Sequence, residues 1–303
     1  MSPVAERFDL SGYLGTEAAR VNDALETAVA EAEALLPEAL HGAVRHGVLS
    51  EGKRLRPVLC ATAYRACGGS DGAIYDLAVA LELIHAYSLM HDDLPSMDDA
   101  PLRRGRPTTH RVHGVEPTTL AGAALIPLAA LRAWRGAAAL GCSRAVAVEI
   151  VRELCRAAGG GGMVGGQALD LRAEGARLDA AALDHLHALK TGALLTASLV
   201  IGGLAGGAPP RLVDALAAYG RAIGLAFQIT DDVLDATGSA EELGKHPSDT
   251  ALEKTTYVAL HGVEAASARA AAEVTRARAA LDEVGIDDPA LHALASYVVE
   301  RRR

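Results

Sequence analysis

Apolar residues recur along this chain at steps of three and four, and that period constrains the fold before any motif is read. Val21, Ala24, Leu25, Ala28, Val29 and Ala32 share one helical face, with Glu26, Glu31 and Glu33 between them. Ile74, Leu77, Ala78, Leu81, Ile84 and Leu89 repeat the pattern. Half of the 303 residues are apolar but only 3% are aromatic, so alanine and leucine supply most of the core. Those residues form helices readily and strands poorly, which excludes an all-β architecture. Breaks at 67–72, 94–95, 104–107, 159–162, 205–210 and 287–289 punctuate about ten helices. No repeat and no linker divides them. The expectation is an all-α, single-domain helical bundle over residues 1–303, with antiparallel neighbours.

Two uncharged runs, 117–131 and 191–210, are read as core helices and not as membrane spans, because Gly, Pro and hydroxyl residues interrupt them. The glycine run 159–162 is read as a flexible break. The four cysteines form no CxxC pair and the N-terminus has no apolar leader, so a reduced, cytoplasmic chain is expected. A net charge of −9 excludes a general nucleic-acid binder.

Chemistry concentrates in two acidic turns. Asp92, Asp93, Asp98 and Asp99 fall within eight residues at the end of an apolar helix, just before and after Pro95. Carboxylates there oppose the helix dipole and repel one another, so stability alone does not favour them. Asp231 and Asp235 lie one helical turn apart, flanked by Ile223, Phe227 and Leu234 of a second apolar helix. Oxygen-only donors on two helices point to Mg²⁺, which keeps room for water and for the oxygens of a phosphate or diphosphate. Lys53, Arg54 and Arg56 place three cations in four residues, and Arg103, Arg104 and Arg106 follow the first acidic turn. Arginine forks so close to a metal-binding turn suit phosphate capture. Gln167 and Asp170 stand ready as a second polar layer.

These motifs together resemble the trans-isoprenyl diphosphate synthases of the bacterial farnesyl/geranylgeranyl type. The matching runs are GKRLRP (52–57), IHAYSLMHDDLPSMDD (84–99), LRRGRPTTH (102–110), MVGGQALDL (163–171), KTGAL (190–194), GLAFQITDDVLD (224–235), and LGK with EKTTY (243–257). The resemblance covers about residues 35–301 and implies a helical bundle with a central apolar cavity, normally a homodimer. It implies Mg²⁺, about three ions per site, completed by substrate diphosphate. Asp92, Asp98 and Asp231 would be the main metal ligands, with Asp93 and Asp235 supporting. Arg103, Lys190 and Lys245 would hold the allylic diphosphate, with Thr191, Gln228 and Lys254 near it. Lys53, Arg56, His85 and Arg104 would hold isopentenyl diphosphate. Tyr87, five residues before Asp92, resembles the aromatic floor that stops growth at farnesyl diphosphate. A geranylgeranyl product and a catalytically weak or regulatory synthase subunit are the alternatives. Ala100-Pro101, Ala123, Ala130 and a 245–254 segment one residue short depart from the family pattern.

Overall fold

The computed structural model describes residues 8–173, 175–238 and 255–301. Fourteen α-helices lie among the described residues, more than the ten or so expected. The excess comes from two short helices, α5 (Thr109–His113) and α12 (Tyr257–His261), and from a π turn, Ala188–Gly192. That turn divides one long helical run into α9 (Ala180–His187) and α10 (Ala193–Ala205).

The others run in chain order as α1 (Leu10–Glu33), α2 (Glu38–Val48), α3 (Leu55–Ala66), α4 (Ile74–Asp92), α6 (Val115–Ala139), α7 (Arg144–Ala158) and α8 (Met163–Arg172). α11 (Pro210–Thr237), α13 (Val263–Asp282) and α14 (Pro289–Glu300) complete the bundle. The only strands among the described residues form a hairpin with two residues in each arm, β1 (Leu102–Arg103) with β2 (Arg106–Pro107), paired Arg103 to Arg106. Its central residues Arg104 and Gly105 have φ +53° and +75°, as a tight hairpin turn requires.

Helix α4 is the spine. Leu77, Leu81 and Ile84 are buried on one side of it and Val79, Leu83 and Met90 on the other, and α6, α3, α1 and α2 surround it. Helix α10 is buried without a gap from Ala193 to Gly203, because α3, α7 and α11 close around it. The runs Ala180–Ala205 and Pro210–Thr237 are long and apolar enough to cross a membrane, yet 61% and 50% of their apolar windows are buried within the bundle.

The uncharged run 117–131 departs from expectation. Only one side of α6 meets other helices, through Ala121, Leu125 and Ala129. Leu120, Leu131 and Trp134 recur along the other side and stand exposed. Apolar composition marks a surface that avoids water, whether the cover comes from the same chain or another.

Helices α4 and α6 approach closely at Gly136, where a Cβ would sit 2.6 Å from the Leu77 Cα. Gly136→Ala should therefore destabilise the protein by about 2–3 kcal/mol, against the gain that this change gives in an exposed helix. Thermal unfolding measures it, and an unchanged or raised midpoint would show that the two helices can separate without cost.

Candidate active site

The first acidic turn closes on itself. α4 ends at Asp92, the Asp98 amide donates to the Asp92 carbonyl at 2.9 Å, and the Asp99 amide donates to the Leu94 carbonyl at 3.1 Å. Asp98 thus returns beside Asp92 despite five intervening residues. Burial pushes the Asp92 carboxyl up to about 6, and Asp98 and Asp93 add to the effect while Lys190 and Arg103 oppose it. Asp93 faces elsewhere. It is 3% exposed, and its carboxylate accepts from Arg103 Nε at 2.9 Å and Nη2 at 2.6 Å. The hairpin carries Arg103 to that bond, and Arg104 donates across to the Glu51 carbonyl.

A cavity of about 340 Å³ opens beside this turn. Arg56, His85, Asp92, Lys190 and Thr191 supply its polar lining. Tyr87, Met163, Val164, Ala168 and Leu171 supply the apolar part. Tyr87 is buried, edge-on to His91 at 5.7 Å, and burial raises its hydroxyl to about 12. Burial also lowers Arg56 to about 10, which leaves it charged at neutral pH. His85 titrates well below the usual range, through burial first and then Arg56 and Arg104, so it faces the cavity as a neutral imidazole. The Nε of Arg56 and both amide atoms of Gln167 are buried there without a hydrogen-bond partner.

Lys190 and Thr191 sit on the π turn, a widened turn of the kind found at functional sites. Lys190 Nζ donates to Asp170 Oδ2 at 2.6 Å, and Thr191 bonds to Gln228. The glycine run expected as a flexible break is instead a tight corner. A Cβ at Gly162 would sit 2.2 Å from the Ala157 carbonyl oxygen, and one at Gly166 would sit 2.2 Å from the Lys190 nitrogen. Gly166 therefore lets α8 lie against the backbone that presents Lys190.

Gln228 begins the stretch of α11 that carries the second acidic turn. Asp231 Oδ1 accepts from Arg301 Nη2 at 2.7 Å, and that guanidinium stacks 3.8 Å from the Phe227 ring centroid. Asp232 points the other way and accepts the Tyr257 amide at 2.7 Å. Lys53 is exposed near the Tyr297 ring. Lys245 and Lys254 lie outside the described residues. Ala123 is exposed, and neither it nor Ala130 lines the cavity. Sequence reasoning missed Arg301, which lies seventy positions from its partner and carries no local signal.

Five of the named side chains thus meet in one cavity with Tyr87, and Gln228 joins them through Thr191. The oxygen-only carboxylates of both turns fit Mg²⁺. Among the described residues no three potential ligands converge on one point. Ions held here would take further ligands from substrate oxygens and water.

The chain is similar to known proteins over nearly its whole length. A sequence profile described as polyprenyl synthetase matches residues 37–284. The heterodimeric geranylgeranyl pyrophosphate synthase large subunit 1 of Arabidopsis thaliana is 40% identical over 302 residues, covering 97% of this chain and 80% of that protein. Among solved structures, a geranyltransferase from Legionella pneumophila superposes with a TM-score of 0.84 at 30% identity, covering 97% of each chain. An FPP/GFPP synthase from Zymomonas mobilis superposes with a TM-score of 0.76 at 34% identity, covering 93% of this chain and 99% of that one.

Burial of His187, like that of His85, gives the bundle an acid sensitivity. His187 stacks on Tyr257, and burial lowers it to about 4. The unfolded chain takes up this proton near pH ~6.5, so stability falls as pH drops from there through the folded value. His187→Asn should flatten that limb, which amounts to at most about 3 kcal/mol between pH 7 and pH 4. Urea unfolding across that range tests it, and an unaltered slope would place the acid sensitivity elsewhere.

Proposed function

The chain belongs to the polyprenyl synthetase family and is a prenyltransferase, and from that premise we propose that it condenses isopentenyl diphosphate with an allylic diphosphate to give farnesyl diphosphate. One observation carries the reading: Lys190, Thr191 and Asp92 share a cavity with the apolar wall of α8 and with the ring of Tyr87. Such a cavity holds a charged head at one end and a growing hydrocarbon at the other.

Arg103, Lys190 and Lys245 hold the allylic diphosphate, with Thr191, Gln228 and Lys254 beside it. Lys53, Arg56, Arg104 and the neutral imidazole of His85 hold isopentenyl diphosphate. Mg²⁺ bound at Asp92, Asp98 and Asp231, with Asp93 and Asp235 supporting, would neutralise charge on the departing diphosphate. Lys190 meets the same developing charge from its place on the π turn. The α8 side chains exclude water from the allylic cation until the double bond of isopentenyl diphosphate attacks it. The proton then lost goes to the released diphosphate.

Tyr87 supports a fifteen-carbon limit, because its ring is buried in the cavity wall one helical turn and a residue before Asp92. A twenty-carbon product is the second reading, favoured by the name of the Arabidopsis relative. Purified protein with Mg²⁺, isopentenyl and dimethylallyl diphosphates should yield farnesyl diphosphate on chromatography. A geranylgeranyl product would overturn the length and leave prenyl transfer standing, whereas no turnover would favour a silent subunit. Tyr87→Ala should shift the product at least one isoprene unit longer; an unchanged product would assign the floor to another residue.

The unpaired thiols of all four cysteines support a cytoplasmic location. The exposed stripe of Leu120, Leu131 and Trp134, with Val148 nearby in sequence on α7, supports a homodimer built on α6. Light scattering of Leu120→Glu/Leu131→Glu should give half the mass of the parent protein, and equal masses would exclude this face.

A further inference from the structure

Lys53, Arg54 and Arg56 crowd together, and Arg104 acts on the same region of charge. A buried carboxylate, Glu82, answers this crowd. Glu82 of α4 is 4% exposed, and its Oε1 accepts from Arg54 Nη1 at 2.9 Å. Arg54 is spent on this inward role. Its Nε donates to Asn22 Oδ1 of α1 at 2.9 Å, and its Nη2 donates to the Ser50 carbonyl at 2.6 Å.

To make those bonds Arg54 adopts φ +51° and ψ +30°, a left-handed conformation that side-chain-bearing residues rarely take. That strain persists only because the surroundings over-determine it. The corner leaves Lys53 exposed and starts α3 so that Arg56 lines the cavity. Gly52 completes the corner, since a Cβ there would lie 2.6 Å from Arg104 Nη1 and 3.5 Å from Arg54 Nη1. Glu82 also counters the burial that lowers both Arg56 and Arg104.

We propose that the buried Arg54–Glu82 pair is the positioning device for the isopentenyl diphosphate half of the site, fixing the left-handed corner from which Lys53 and Arg56 reach that substrate's diphosphate and on which Arg104 of the hairpin rests. Neither Arg54 nor Glu82 touches substrate. The proposal rests on the reading of Lys53, Arg56 and Arg104 as the isopentenyl diphosphate ligands. Its signature is a selective loss: on the allylic side Lys190 sits on the π turn and Arg103 is fixed by Asp93, and neither anchor involves this pair.

Glu82→Gln keeps the shape and removes the charge. It should weaken isopentenyl diphosphate by about tenfold, in KM and in calorimetric Kd measured without an allylic partner, while KM for the allylic diphosphate stays within about twofold. Glu82→Gln leaves Arg54 buried without its counter-charge and lowers stability. Arg54→Gln/Glu82→Gln removes both charges; it should recover most of the lost melting temperature yet bind isopentenyl diphosphate as weakly as the single variant. Folded variants with unchanged isopentenyl diphosphate affinity would overturn the proposal. Equal losses for both substrates would do the same, since they mark a general structural role. If the parent protein neither binds isopentenyl diphosphate nor turns over, the functional reading itself fails, and the parent measurement keeps that failure separate.

Discussion

The carboxylate of Asp93 accepts three hydrogen bonds from Arg103, and this contact decides where the reactive end of α4 meets the hairpin. A carboxylate 3% exposed is costly to bury unless a cation is fixed on it. Once Arg103 is committed there, the tight turn sends Arg104 the other way, onto the Glu51 carbonyl. The end of α4, the hairpin and the loop between α2 and α3 become one unit. Asp92 is then left lining the cavity, where Lys190 is the opposing cation that weighs most on it. Asp93 is paired with Arg103 and Asp99 with Arg111, so four neighbouring carboxylates do not act as four equivalent ligands.

The same division of labour repeats on α11. Asp231 turns toward Arg301 and Asp232 toward the Tyr257 amide, so adjacent acids face different sides of one helix. Asp232 serves the packing of α12, and Asp231 keeps the side that Gln228 shares one turn earlier. On the cationic side Arg54 closes the corner while Lys53 and Arg56 remain for solvent and cavity. In each cluster one charged residue builds and its neighbours are presented.

Helices and acidic turns were legible because both are local. Apolar spacing fixes a helical face, and the Asp92 to Asp98 spacing is closed by backbone bonds within the turn itself. The loop glycines were legible as breaks but not as contacts, since Gly166 matters only through the Lys190 backbone twenty-four positions on. Arg54 was read with its neighbours as a phosphate-binding cation because nothing in the run 53–56 announces Glu82 or Asn22. The apolar run in α6 failed for another reason. Hydropathy reports a preference for leaving water, and among the described residues nothing covers the Leu120, Leu131 and Trp134 side of that helix.

Scarcity of aromatic residues gives the cavity its character. With two Phe, one Trp and seven Tyr in 303 residues, most core positions are filled by small or flexible side chains. Alanine and glycine let α4, α6, α8 and α10 approach closely, and Met163, Val164, Ala168 and Leu171 line a wall without rigid rings. Against such a wall Tyr87 is a rare fixed volume, and its neighbour His91 is held by the Thr119 carbonyl at 3.1 Å. Gly122 makes room for that imidazole, since a Cβ there would lie 2.3 Å from His91 Nε2. The ring that faces the cavity is therefore backed by α6 itself. Any shift of α6, whether from a changed residue at Gly122 or from a partner on its outer face, would be felt at Tyr87 through this stack. The support behind Tyr87 and the exposed stripe meet on one helix.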